Sequence, residues 1–122
     1  LGVDFVIADS LGPACGPEPE SADAAIVTLS ALRSLGVTTL CIAHVSKQAA
    51  DAKGPSRPFG SVYVSNLARS VIEARRSDAG LDNQDEMTLS LYHRKSNQGR
   101  LCSPTAFTFS FGFDGRLTLR SG

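Results

Sequence analysis

Neither sign of charge dominates this chain: 12 Lys and Arg balance 12 Asp and Glu over 122 residues. Composition therefore names neither nucleic acid nor membrane as a partner. No apolar run approaches the ~20 residues that span a bilayer, and no signal peptide opens the chain. Cysteine is scarce, and Cys15, Cys41 and Cys102 are odd in number and far apart. That excludes a disulfide framework and any metal-ligand spacing, and it predicts reduced thiols in a cytoplasmic protein. Internal repeats and low-complexity tracts are absent. So are the G-x-S-x-G elbow of serine hydrolases and the RNP pattern of RNA-binding sheets. The phosphate-cradling loop GxxxxGK[ST] is missing too. Its nearest approach, Gly54-Pro55-Ser56-Arg57-Pro58, has prolines where that loop needs free backbone N–H groups.

What is present begins at once. Leu1 to Ala8 is an apolar run that stops at Asp9-Ser10, followed by a loop rich in Gly and Pro. Such a run reads as a buried strand, covered on both faces in a parallel sheet. Leu11 to Glu20 holds three prolines and reads as loop. Ser21 can cap a helix to about Leu35, with Ala22, Ala25, Ile26, Leu29 and Leu32 on one stripe. Asp23 in its first turn, Arg33 near its end and Gly36 beyond suit the helix dipole and C-cap. Val37 to Ala43 is a second strand, ending at His44. Strand, helix and strand in about forty residues make a βαβ unit with a right-handed crossover.

The second half has a different rhythm. Val45 to Pro58 is polar and reads as a loop, with Lys47, Lys53 and Arg57 as its cations. A short helix over Phe59–Arg69 precedes a strand at Ser70–Arg75. Met87–His93 and Thr105–Phe113 alternate as strands, the latter placing Phe107, Phe109, Phe111 and Phe113 on one face. Arg94 to Pro104 reads as a basic loop. Asp114-Gly115 marks a hairpin, with the return strand at Arg116–Arg120. The expected fold is one α/β domain at most, a parallel βαβ start followed by an antiparallel β meander.

Three places carry chemistry. Asp9 is either a turn residue or a carboxylate at the strand edge where open α/β sheets bind ligands. In P-loop nucleotide hydrolases an Asp so placed helps hold the phosphate-bound magnesium. Ser10 either starts the turn or ligates through water. His44 is followed by Val45-Ser46-Lys47, a set suited to sensing a γ-phosphate as well as to a plain strand terminus. His93-Arg94-Lys95-Ser96-Asn97-Gln98-Gly99-Arg100 reads as a solvated basic loop or as a contact to phosphate across a subunit interface.

Taken in order, VDFVIADSLGPACG, LRSLGVTTLCIAHVSK, PFGSVYVSNLARSVIEARR and LYHRKSNQGR resemble the RecA-like P-loop ATPases, in particular the RepA-type hexameric helicase group. The resemblance spans nearly the whole chain and rests on the ordered set. It implies ATP and Mg2+ as cofactors, single-stranded DNA as a partner, a homo-oligomeric ring and no membrane. It maps Asp9 to the magnesium-associated acid of the Walker B strand and His44, with Lys47 nearby, to the nucleotide sensor. Ser10, Ser61 and Asn97 fall at nucleotide-contacting positions, and Ser61 and Arg69 would shape the site. Lys95 and Arg100 fall where the family presents cations to a neighbour's ATP. The Walker A residues and the acid that activates water are expected before Leu1, so the chain, which does not begin with Met, reads as the C-terminal half of such a domain. The rival expectations are a KaiC-like regulatory ATPase without unwinding activity and a non-catalytic ATPase-fold interaction module.

Overall fold

The computed structural model describes residues 2–45, 62–77 and 85–122. Its contacts divide the chain into two units, Leu1–Ala68 and Arg69–Gly122. The architecture is mixed α/β, with a two-stranded parallel sheet in the first unit and a four-stranded antiparallel sheet in the second.

In the first unit β1 (Phe5–Asp9) pairs in parallel with β2 (Thr38–Ile42), from Phe5 opposite Thr38 to Asp9 opposite Ile42. The loop expected at Leu11 to Glu20 contains a short helix, α1 (Leu11–Ala14). Its cause is local: Leu11 is buried at 2 % exposure, and Cys15, four residues on, packs against the same core. Helix α2 (Ala22–Ser34) starts at Ser21, whose Oγ accepts from the Ala24 N–H at 3.4 Å. It stops at Gly36, where φ is +69°, a left-handed turn that favours glycine. Arg33 donates to the carbonyl of Leu67 at the end of α3 (Val62–Leu67), so a side chain expected only to complement its own helix end ties two helices together.

The core comprises Leu11, Ala25, Leu29 and Val64, flanked by Cys15, Leu32, Cys41, Ala43 and Leu67. Two expectations change here. The α2 stripe is narrower than its sequence pattern, since Ile26 stays exposed. β1 is not covered on both faces: Phe5 and Ile7 are 50 % and 60 % exposed, beside Leu40 and Ile42 of β2. Among the described residues the apolar side chains packed on this sheet gather on the Cys41 face and leave the alternate one bare.

In the second unit β3 (Ser70–Ser77), β4 (Glu86–Ser96), β5 (Thr105–Phe111) and β6 (Leu117–Ser121) form a meander in sequence order. β4 runs past His93 because Lys95 and Ser96 pair with Val71 and Ser70, so Lys95 belongs to a strand and not to the basic loop. The register shifts between Val71 and Ile72, leaving Arg94 as the extra residue of a bulge. β5 ends earlier than its alternation suggests. Gly112 donates to the Arg116 carbonyl and Asp114 Oδ1 accepts from the Arg116 N–H, which turns the chain and leaves Phe113 fully exposed.

Strand pairing sorts the meander into two faces. Met87, Leu89 and Leu91 stand beside Phe107 and Phe109, with Leu117 and Leu119 beyond. The opposite face is polar. There Glu73, at 9 % exposure, binds Arg75 Nε at 2.8 Å and Arg94 Nε at 2.6 Å. The Arg94 guanidinium lies 4.5 Å from the Tyr92 ring centroid. Farther along, Glu86 accepts from Ser110 Oγ at 3.0 Å and from Arg120 at 2.8 Å.

Candidate functional site

Parallel pairing in register brings the ends of β1 and β2 to one edge. Asp9 is the last residue of β1, opposite Ile42, so Ser10 and His44 each lie just beyond their strands. Both line a cleft of about 380 Å³, together with Gly12, Pro13, Gly16, Pro17 and Pro19. Ser10 is the N-cap residue of α1, yet its hydroxyl makes no capping bond and remains available to a ligand. Gly16 has φ +81° and carries the chain out of α1 along the cleft wall. Asp9 is exposed at the strand end but is not part of the cleft lining. The peptide bond between Asp9 and Ser10 is cis.

No group of three or more His, Cys, Asp or Glu suited to a metal occurs among the described residues. Magnesium does not require one. It is commonly held by one or two carboxylates and the phosphates of its nucleotide, retaining several waters. One exposed carboxylate beside an uncommitted hydroxyl fits that donor chemistry.

Lys95, Asn97 and Arg100 belong to the second unit, at the end of β4 and in the loop after it. Asn97 donates its N–H to the Arg69 carbonyl at 2.8 Å, and Gln98 N–H donates to Ser96 Oγ at 3.3 Å. Arg100 is exposed. Lys47 and Ser61 fall outside the described residues, as do Lys53 and Arg57.

Sequence reading missed the cleft wall because three prolines hid a helical turn. The usable signal was Ser10 before Leu11, with an apolar Cys15 one turn later. It also missed the pairing of Ser70 with His93, whose Oγ and Nε2 are 3.0 Å apart. This pair is not a hydrolase dyad. The Cys102 N–H donates to His93 Nδ1 at 3.1 Å, so the neutral ring carries its proton on Nε2 and donates to Ser70. A general base needs the opposite tautomer, with Nε2 free to accept.

The cysteines are free thiols. Burial pushes the Cys41 thiol up from its ordinary value, and the charge of Cys15 adds to the shift. Among the described residues no helix is long and apolar enough to cross a membrane. Comparison with protein-family models, curated proteins and solved structures finds no match.

Proposed function

We propose that this chain is part of an ATP-hydrolysing RecA-like domain, belonging to a ring-forming helicase or helicase-like DNA motor. The observation that supports this reading is the shared edge: Asp9, Ser10 and His44 lie at the carboxyl ends of two paired parallel strands, and Ser10 and His44 line one cleft there. In this reading Asp9 would hold magnesium and Ser10 would reach it through water. When bound there, the metal would supply charge neutralisation at the phosphoryl oxygens. His44 donates to the γ-phosphate and loses that partner once phosphate leaves. Lys95 and Arg100, with Asn97 beside them, face the triphosphate of a neighbouring subunit, as an arginine finger does in trans. Single-stranded DNA meets the Lys47 to Arg57 segment in a hexameric ring.

The test is ATP hydrolysis by the full-length product of the reading frame that encodes this chain, with and without single-stranded DNA. Stimulation by DNA that Asp9→Ala abolishes supports both the motor and the magnesium role. Hydrolysis without DNA stimulation or strand separation favours the regulatory ATPase. A folded full-length protein with no hydrolysis favours the interaction module.

A further inference from the structure

The loop after β4 is tied down at both ends, by different chemistry. At its start the Asn97 N–H donates to the Arg69 carbonyl at 2.8 Å, a backbone bond that no side-chain titration touches. At its far end the Cys102 N–H donates to His93 Nδ1 at 3.1 Å, and the same ring donates from Nε2 to Ser70 Oγ. One imidazole therefore holds the loop to the first residue of β3. Between the two ties lies Arg100, exposed and making no side-chain bond among the described residues.

The two ties respond differently to a proton. A neutral imidazole has one acceptor nitrogen, and an imidazolium has none. Protonation at Nδ1 sets N–H against N–H and cancels the Cys102 bond, while the Asn97 bond stays intact. The charged and titratable groups on the elements around the ring are Arg69 and Arg76 on the β3 side, Tyr92, Arg94 and Lys95 beside it on β4, and Arg100 and Cys102 in the loop. Glu73 pairs across from Tyr92 on the opposite face of the sheet, where Arg75 and Arg94 engage it.

We infer that His93 is a proton-operated clasp: neutral, it holds the Asn97–Cys102 loop in place, and protonated, it frees the Cys102 end. It is a positioning residue for Arg100. Release of the loop stands on the hydrogen-bond geometry alone; its consequence for phosphate contact rests on the reading proposed above.

Residue-resolved amide exchange of the full-length protein, corrected for intrinsic rates, tests the clasp between about pH 8 and pH 5. Release linked to one proton lowers Cys102 protection as the pH falls, by at most about tenfold per pH unit, with Asn97 unchanged. His93→Gln, which can accept and donate without titrating, should keep Cys102 protected throughout. His93→Phe should leave it unprotected at every pH; if that variant does not fold, the wild-type profile and His93→Gln still decide. Cys102 protection that ignores pH, or that falls only together with Asn97, overturns the clasp. The pH profile of ATP hydrolysis separates the two claims. Flattening by His93→Gln joins the clasp to the phosphate site, whereas an unchanged profile beside a working Cys102 switch removes the loop from that site and leaves the clasp standing.

Discussion

The two units of this protein are held together in contrasting ways. Among the described residues the four buried apolar ones, Leu11, Ala25, Leu29 and Val64, lie in Leu1–Ala68. In Arg69–Gly122 the one buried residue among those described is a carboxylate, Glu73, held by two arginines. The first unit hides side chains between helices and one face of a small sheet. The second relies on backbone ladders and a polar face, while Ile72, Phe111, Leu117 and Leu119 stay largely exposed. Alternation thus specifies a strand's register and faces even where one face stays open.

That contrast can be broken or sharpened by mutation. The largest effect is expected at Leu11→Ala, which opens a cavity in the only apolar core described and should cost about 2–4 kcal/mol in denaturant unfolding. Next is Glu73→Gln. It leaves two guanidinium groups without their carboxylate, but both arginines are about one-third exposed. Water compensates in part, so a loss of about 1–2 kcal/mol is expected, with β3 amides losing protection first. Ser21→Ala removes a long capping bond and should cost about 0.5–1 kcal/mol, confined to the first unit. Leu117→Ser and Leu119→Ser, on the open face, should each stay within about 0.5 kcal/mol of the parent. A loss as large as that of Leu11→Ala at either leucine would show that the open face is a core after all.

Alkylation offers a pH-dependent comparison of the same kind. The thiolate is the reacting form, and Cys41 is half-buried with its thiol pushed up, whereas Cys102 is exposed. Iodoacetamide at pH 8 should modify Cys102 well before Cys41, as followed by peptide mass spectrometry. Raising the pH should narrow the gap. Because folding raises the Cys41 value, the associated stabilisation is complete below the unfolded thiol's titration and fades as pH rises through the folded one.

Periodicity made the elements legible in the sequence, and pairing decided their limits. The stripe of Ala25, Leu29 and Leu32 and the cap at Ser21 announced α2 within a residue at each end. The meander order was equally readable, because the phenylalanine alternation and Asp114-Gly115 are local signals. Strand ends were not. Lys95 looks like loop by its charge, but a backbone ladder to Val71 is indifferent to side-chain charge. Phe113 looks like strand by alternation, but the turn at Gly112 to Arg116 claims it.

Of the candidate site, the edge residues Asp9, Ser10 and His44 were legible because the ends of parallel strands follow from chain order alone. The clasp at His93 was not, since it joins Ser70, His93 and Cys102 across a register shift that no local pattern encodes. The cleft wall was hidden for a related reason. Prolines signal a break in structure, yet Pro13 sits inside α1.

The account stands on the edge where β1 and β2 end, and His44 reports on it most directly. In the full-length protein, the imidazole nitrogen resonances of His44, assigned by their loss in His44→Gln, should be followed as magnesium and a non-hydrolysable ATP analogue are added, and then with ADP. The account predicts that the triphosphate moves them and the diphosphate leaves them near their free positions. Resonances that ignore both nucleotides, in a protein that binds the analogue, would contradict it.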